Sequence, residues 1–409
     1  MITSLNKNIG YINATILLLL IFLLPKTIIW DEAWYMNCVK NIHNYGLSTA
    51  FIKWNPAAPM HAIVHYIFSP VTQLHSPQIR ILNFLIFICI TVMIYRMLKM
   101  NKENSGVTIG YSFMLFLLPS FFVLGFFALS EGPCLLFYTL SLFMLTKYVT
   151  SDNPRMWYMF LSGLFLGLAI LTRQIFLVCL GPPAVIIFYQ QFKHRFPSVI
   201  LFIMGGLLLV APVIYLWKGL FPLSSGFREQ KADLISMKHV FLSFGYAFCY
   251  FIIIMPVYVF NFIKKNWKVV LVLAITGMAG SSFIRDDSFV PMSGLLPHVF
   301  SQHVLDIISI VFFKLIGMVC LVAVYFLLLE LYKNRKNYLQ TVYALSMLTI
   351  LVTPALILDQ FSSRYSMQIA PVLIMFAYSR IQPMNEKMRL AINGIAIAIN
   401  IISVVTFFI

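Results

Sequence analysis

Long apolar runs alternate with short polar segments along this 409-residue chain. Most runs are close to the ~20 residues that a helix needs to cross the hydrocarbon core of a membrane. Lipid offers the backbone no hydrogen-bond partners, so each run must pair its own amides and carbonyls as a helix. The pattern predicts about thirteen spans, at roughly residues 11–30, 80–98, 107–126, 131–149, 157–172, 174–192, 197–217, 240–262, 268–284, 304–330, 338–357, 366–380 and 390–408.

The composition agrees with this pattern. Hydrophobic residues make up 61% of the chain and charged residues only 10%, whereas about a quarter of the residues of a soluble domain are charged. The sequence therefore predicts an all-α, polytopic integral membrane protein that forms a single domain over residues 1–409.

The net charge of +16 has its origin in the loops. More than half of the 29 Lys and Arg fall in alternate short loops, and nine of the 13 acids fall on the opposite side. Cytoplasmic loops carry an excess of Lys and Arg, so the basic loops are predicted to face the cytoplasm. A basic inner face accounts for the charge, and no nucleic acid is expected as a partner.

Three long segments, 31–79, 218–239 and 285–303, lie on the predicted outer side. In the first, a turn from Lys53 to Pro59 is followed by an apolar stretch, Met60 to Phe68, that is too short to cross the membrane. This stretch is typical of helices that lie on the membrane surface. The polar chemistry is thus concentrated on the outer face.

The most informative polar feature is the pair Asp31 and Glu32, directly after the first apolar run. Acids in the first turn of a helix are stabilised by the helix dipole, so capping of a surface helix is one interpretation. The alternative is catalysis, with Asp31 as a general base that takes a proton from a hydroxyl group outside the bilayer. Trp34 and Tyr35, one turn later, supply an aromatic frame.

Four further features lie on the predicted outer side. Glu131, after Ser130, suits either a helix cap or a catalytic site, and the Asp286–Asp287 pair suits either a solvated loop or contact with a cation or acceptor. Arg173 either extends to lipid headgroups or binds phosphate. Arg364, before Tyr365, either pairs with Asp359 or joins Lys53 and Arg173 around a phosphate.

His61 and His65 are four residues apart and share one face of a predicted helix. A metal site needs further ligands at suitable spacing, and the sequence offers none. The pair is therefore interpreted as interfacial, and no metal or other cofactor is expected.

The order of these motifs resembles the GT-C superfamily of polyprenyl- or dolichyl-phosphate-sugar-dependent glycosyltransferases. The superfamily includes the protein O-mannosyltransferases and the lipid A aminoarabinose transferases. Part of the chain is also similar to the dolichyl-phosphate-glucose α-1,2-glucosyltransferases, at Thr172-Arg173-Gln174 and Trp217-Lys218-Gly219. The resemblance to GT-C enzymes is carried by Asp31-Glu32, Lys53 to Pro59, Ser130-Glu131-Gly132-Pro133, Gly167 to Arg173, and Arg364-Tyr365.

The resemblance implies an inverting transfer of a sugar from a lipid phosphate to a hydroxyl group of a glycolipid, glycan or protein. The site would face outward, from a bacterial cytoplasmic membrane or, in a eukaryote, from the endoplasmic reticulum membrane into its lumen. The implied catalytic residues are Asp31, Glu32 and Glu131; the donor-phosphate ligands are Lys53, Arg173, Arg364 and Tyr365; and the sugar or acceptor contacts are Trp34, Tyr35, His61 and Gln174.

Two other classes of protein fit the sequence, a transporter or flippase of a lipid-linked sugar and a non-enzymatic scaffold of envelope assembly. A transporter places ionisable groups near the middle of its spans or in symmetrical broken helices. Here nearly all of the candidate site residues lie at the predicted outer face of the membrane, which favours an enzyme over a transporter.

Overall fold

A computed structural model describes residues 4–55, 57–100, 109–185, 196–221, 236–284, 296–356, 361–382 and 385–408. Within these ranges every regular element is a helix and no strand occurs, so the all-α fold class is confirmed. The first twelve helices are α1 Ser4–Leu23, α2 Trp30–Tyr45, α3 Thr49–Trp54, α4 Pro59–Ile67, α5 Ser69–Thr72, α6 Gln78–Met100, α7 Gly110–Phe113, α8 Pro119–Phe126, α9 Glu131–Thr150, α10 Trp157–Ile170, α11 Gly181–Val185 and α12 Phe196–Trp217.

Nine further helices follow in the rest of the described chain, together with short 3₁₀ turns. The helices are α13 Met237–Ile254, α14 Pro256–Lys265, α15 Trp267–Ala279, α16 Ser281–Ile284, α17 Leu296–Val299, α18 Gln302–Lys333, α19 Tyr338–Val352, α20 Ala370–Ala377 and α21 Glu386–Val405. The 3₁₀ turns are Met114–Leu117, Gln174–Leu180, Thr353–Leu356, Ser366–Ile369 and Tyr378–Arg380.

Seven helices of the described residues are long and apolar enough to cross a membrane, and four shorter apolar helices accompany them. The protein is therefore an integral membrane protein, although the predicted count of thirteen spans is not confirmed. Several predicted spans are interrupted by proline. The run 107–126 is broken before Pro119, and the run 240–262 is divided at Pro256, which begins α14. Proline lacks the amide that would continue the preceding helix.

The chain forms two compact units. The N-terminal unit comprises Ala14–Ser112 and Leu124–Lys231, and the C-terminal unit comprises Met1–Asn13, Phe113–Val123 and Ala232–Ile409. The predicted single domain over 1–409 stays a prediction. The greater part of the outer loops 218–239 and 285–303, with Asp286 and Asp287, lies outside the described residues.

In the N-terminal unit the segment after α1 folds into the short helices α2 to α5. Their apolar faces enclose a core that includes Met36, Val39, Phe51, Ala62 and Ala128. The predicted surface helices of this loop stay a prediction, because the structure contains no membrane that would define their position. This core fixes the first turn of α2 against the start of α9.

Helices α10 and α12 pack along a stripe of glycines in the same unit. A Cβ atom on Gly163 would overlap the Phe202 carbonyl oxygen, and one on Gly167 would lie 2.8 Å from the Gly206 carbonyl oxygen. Small residues let helix backbones approach closely in membranes. The packing holds the end of α10, and with it Arg173, in a fixed position.

We expect Gly163→Ala to destabilise the protein because the added methyl group meets backbone, which cannot rotate away. Overpacking of this kind costs about 1–3 kcal/mol, so the thermal unfolding midpoint in detergent should fall. Gly181→Ala is the matched control, since a Cβ atom there meets nothing within 4 Å. Equal midpoints for the two variants would contradict the close packing of α10 on α12.

Candidate active site

The candidate site begins on one face of α2. Asp31 lies half-buried in the first turn, and Trp34 and Tyr35 follow three and four residues later. Residues at these spacings lie on the same face of a helix. The Trp34 side chain is 43% exposed, and its ring lies 4.8 Å from that of Tyr35. Asp31 thus shares a partly exposed face with two aromatic side chains.

Glu32, the next residue, is buried on a different side of α2. Its carboxylate accepts hydrogen bonds from Arg80 Nη2 at 2.9 Å and from the Ala128 amide at 3.1 Å. Arg80 also donates to the carbonyl oxygens of Pro25 and Thr27. These contacts fasten the first turn of α2 to α6 and to the segment before α9. Both oxygens of Glu32 are engaged, which supports a structural role, and its catalytic role stays a prediction.

A hydrogen-bonded network joins α2 to the ends of α9 and α10. Arg173 Nη1 lies 2.5 Å from Glu131 Oε1 and 3.1 Å from Ser130 Oγ. Ser130 Oγ in turn lies 2.8 Å from the Tyr35 hydroxyl. Glu131 is fully buried, whereas the Arg173 side chain keeps an exposed fraction of 14%. A buried carboxylate thus fixes the position of a partly exposed guanidinium.

Ser130 links two elements of the site and does not cap α9 through its side chain. It precedes the first residue of α9, as expected for a helix cap, but its side chain makes no capping hydrogen bond. Its hydroxyl instead bridges Tyr35 and Arg173. Sequence analysis also missed Arg80. The available signal was an arginine at the predicted outer end of a span, where the positive-inside rule does not account for it.

His61 and His65 are buried on one face of α4, as the spacing predicted. Their ring centroids are 4.5 Å apart, and the Tyr35 ring lies 4.8 Å from that of His61. Within the described residues, no hydrogen bond of normal geometry reaches a ring nitrogen of either histidine. The Ala128 carbonyl lies near His61 and favours its protonated form, but its effect on the pKa is the smallest of those acting on the ring.

Burial keeps both imidazoles neutral. It lowers the pKa of His65 to about 4. Burial also lowers the pKa of His61 well below its ordinary value, with smaller contributions from His65 and Arg173. The charged form of a histidine loses its hydration when it is buried, so the neutral form is favoured.

These shifts predict a loss of stability in acid. Below pH 6.5 an unfolded His65 binds a proton, whereas the folded one does so only near pH 4. The free energy of unfolding therefore falls as the pH drops between these values, by about 3 kcal/mol for His65. We expect the thermal midpoint to fall between pH 7.5 and 4.5, and to fall less in His65→Leu. Equal decreases in the two proteins would contradict the assignment.

Lys53 and Gln174 lie elsewhere in the N-terminal unit. Lys53, in the last turn of α3, lies over the Trp54 ring. Helix α3 is fixed by a hydrogen bond of 2.7 Å from Trp217 Nε1 to the Ile52 carbonyl. Gln174 begins the 3₁₀ turn after Arg173 and lines a small apolar cavity of about 10 Å³.

Arg364 and Tyr365 belong to the C-terminal unit. The Arg364 guanidinium lies 5.5 Å from the centroid of the Tyr365 ring. Next to them in sequence, Ser363 accepts a hydrogen bond from Ser120, which Tyr250 also contacts. Asp359, the alternative partner of Arg364, lies outside the described residues. The convergence of Arg364 with Asp31 and Arg173 stays a prediction.

The described residues contain no group of three or more His, Cys, Asp or Glu arranged to hold a metal ion. The expectation that the reaction needs no metal stays a prediction.

Part of the chain is similar to a known protein family. Residues 56–217 match the family model described as dolichyl-phosphate-mannose-protein mannosyltransferase. The chain carries a GT-C glycosyltransferase segment. The predicted resemblance and enzyme class are thereby confirmed, and the transporter and scaffold alternatives are set aside. Glu131 and Arg173 of this GT-C segment lie within the match, whereas Asp31 and Lys53 precede it.

No curated protein matches the sequence. Two crystal structures of ArnT from Cupriavidus metallidurans resemble the chain at 13% identity, one in the apo state and one bound to undecaprenyl phosphate. The matches cover 97% of this chain and 76% and 77% of ArnT, with TM-scores of 0.47 and 0.48.

Proposed function

We propose that the protein is an inverting glycosyltransferase that moves a sugar from a polyprenyl-phosphate donor to a hydroxyl group on the extracytoplasmic face of the membrane. The observation that carries the proposal is the fixed contact of Arg173 with buried Glu131 and with Ser130. Through Ser130 and Tyr35 this contact reaches the helix whose first turn bears Asp31. The helix that bears the prospective base is thus joined by hydrogen bonds to the prospective phosphate ligand.

The geometry suits stabilisation of a leaving phosphate. A guanidinium presents a planar fork of N–H donors that matches phosphate oxygens. Donors that are already in place stabilise developing charge without reorganisation during the reaction. Glu131 and Ser130 fix Arg173 in this way, and Lys53 and Arg364 are proposed to add positive charge. Tyr365 is proposed to contact the phosphate beside Arg364.

Asp31 is proposed as the general base. Its carboxylate takes the proton of the acceptor hydroxyl as that oxygen attacks the anomeric carbon from the face opposite the lipid phosphate. The bond between the anomeric carbon and the phosphate oxygen breaks, and the lipid phosphate leaves with the electron pair of that bond. Trp34, Tyr35, His61 and Gln174 are proposed to contact the sugar or acceptor. The family description names dolichyl-phosphate-mannose, which supports a lipid-phosphate sugar as the donor class.

The outward orientation is proposed from the basic loops. They would face the cytoplasm, which leaves Asp31, Glu131 and Arg173 on the outer side. A bacterial cytoplasmic membrane is the proposed location, with the bilayer and a hydroxyl-bearing glycolipid, glycan or protein as partners. In a eukaryotic cell the same orientation would place the site in the lumen of the endoplasmic reticulum.

The phosphate site is tested by Arg364→Ala. Hydrogen bonds to charged groups contribute about 1.5–3 kcal/mol, so we expect the Kd for an undecaprenyl-phosphate sugar to rise about 10-fold or more. Binding is measured by titration of the protein in nanodiscs. Arg155→Ala is the matched control, because Arg155 is exposed and lies in a loop predicted to face the cytoplasm. Unchanged affinity in Arg364→Ala would remove Arg364 from the phosphate site.

A further inference from the structure

The pair His61 and His65 presents four ring nitrogens that are shielded from solvent and lack a hydrogen bond of normal geometry within the described residues. Nearly all buried polar groups in folded proteins are paired, so such exceptions require an explanation. The surroundings of α4 are apolar, with Ala62 on α4 and Met36 and Val39 on α2 in the adjoining core. An apolar side chain would meet the packing requirement at His65 without leaving polar atoms unpaired.

The pair lies at the inner end of a row of four aromatic rings. From the exposed Trp34, successive ring centroids are 4.8 Å apart to Tyr35, 4.8 Å to His61 and 4.5 Å to His65. The row therefore leads from the surface of the N-terminal unit to the unpaired nitrogens. At its middle, the Tyr35 hydroxyl contacts Ser130, which also binds Arg173. The histidines are thus connected to the network of the candidate active site.

The chemistry of the pair selects its ligand. A neutral imidazole carries one N–H donor and one acceptor nitrogen. A hydroxyl group both donates and accepts, so it can pair with either ring nitrogen. An anion needs donors only and is better served by Arg173. Binding sites for small molecules commonly combine an apolar, aromatic lining with a few polar groups that fix orientation. Flat aromatic faces also suit the C–H faces of a sugar ring.

We propose that His61 and His65 form a subsite that binds hydroxyl groups of a carbohydrate, and that Trp34 and Tyr35 form the aromatic path to it. The inference rests on the proposed glycosyl transfer and adds His65 to the site. The hydroxyl groups belong either to the transferred sugar or to the acceptor, and the experiment separates these sources.

The test compares wild-type protein with His65→Leu, His65→Gln and His43→Leu in nanodiscs. Leucine removes both ring nitrogens, whereas glutamine restores one donor group and one acceptor atom. His43 is exposed at the end of α2 and lies against Tyr66, so its substitution is the matched control. The probes are bare undecaprenyl phosphate and undecaprenyl-phosphate-linked mannose, glucose, galactose and aminoarabinose. Transfer, Kd, the KM of the acceptor and the thermal midpoint are measured.

If the subsite holds the transferred sugar, His65→Leu will weaken binding of the sugar-bearing donor about 10-fold and leave that of bare undecaprenyl phosphate unchanged. If it holds the acceptor, donor affinity will stay constant and the KM of the acceptor will rise by a similar factor. In either case His65→Gln will recover part of the loss, and the midpoint of His65→Leu will equal or exceed that of wild type.

Wild-type transfer with no change of any constant in His65→Leu would overturn the subsite and leave the proposed function intact. A loss in His65→Leu that includes bare undecaprenyl phosphate, together with a lower midpoint, would also overturn it, because the histidine would then be structural. If wild-type protein neither transfers a sugar nor binds any of these lipids, the proposed function fails, and the subsite fails with it.

Discussion

Asp31→Asn is expected to reduce sugar transfer by a factor of about 10² to 10⁴, the usual contribution of a general base. The substitution keeps the size of the side chain but removes the group that accepts the proton of the acceptor hydroxyl. Donor binding should be retained, since the loss of a negative charge does not weaken attraction for a phosphate. Turnover and donor Kd are measured on the same preparation.

Asp306→Asn provides the control for this experiment. Asp306 is an exposed carboxylate on α18, also predicted to lie on the outer side, and it accepts a hydrogen bond from Gln302. Its substitution should leave transfer unchanged. Transfer at the wild-type rate in Asp31→Asn would show that Asp31 is not the base, and parallel losses in both variants would indicate a general effect of surface charge.

Arg80→Met is expected to lower the free energy of unfolding by about 3–5 kcal/mol, as found when one partner of a buried ion pair is removed. Arg80 and Glu32 are both fully buried, and Arg80 also binds two backbone carbonyls. Methionine fills much of the volume but leaves the Glu32 carboxylate without its cation. The loss is measured by denaturant or thermal unfolding in detergent.

Arg96→Met, on the same helix α6, is the control because Arg96 is exposed. We expect it to unfold like wild type. The double variant Glu32→Gln with Arg80→Met no longer buries an unpaired charge, so it should recover part of the stability. Equal stability of Arg80→Met and Arg96→Met would be inconsistent with the buried pair.

The class of helical membrane proteins was predictable because the backbone of a long apolar run in lipid must pair its own amides and carbonyls, which a helix does. The interruptions were harder to predict. Pro119 and Pro256 lie within runs whose hydropathy continues through them, and hydropathy alone does not report whether a proline bends a span or ends it. The predicted count of thirteen spans is therefore not confirmed by the described residues.

The candidate site was predictable as a set of residues rather than as a geometry. Glu131 and Arg173 were each singled out by their motifs, but their contact joins positions 42 residues apart and depends on the packing of α9 and α10. Asp31 and Glu32 are adjacent in sequence, yet they differ in burial and in partners. Arg80, from the start of α6, and the Ala128 amide pair with Glu32, and these contacts come from segments distant in sequence.

Sugar transfer in vitro is the most direct test of the proposed glycosyltransferase activity. Purified protein in detergent is given radiolabelled polyprenyl-phosphate sugars, with membrane lipid or glycan extract as acceptor, alongside Asp31→Asn. We expect wild-type protein to transfer one of these sugars, and Asp31→Asn to bind the same donor without transferring it. The proposed activity would be contradicted if the wild-type protein showed no binding and no transfer with every donor of the panel.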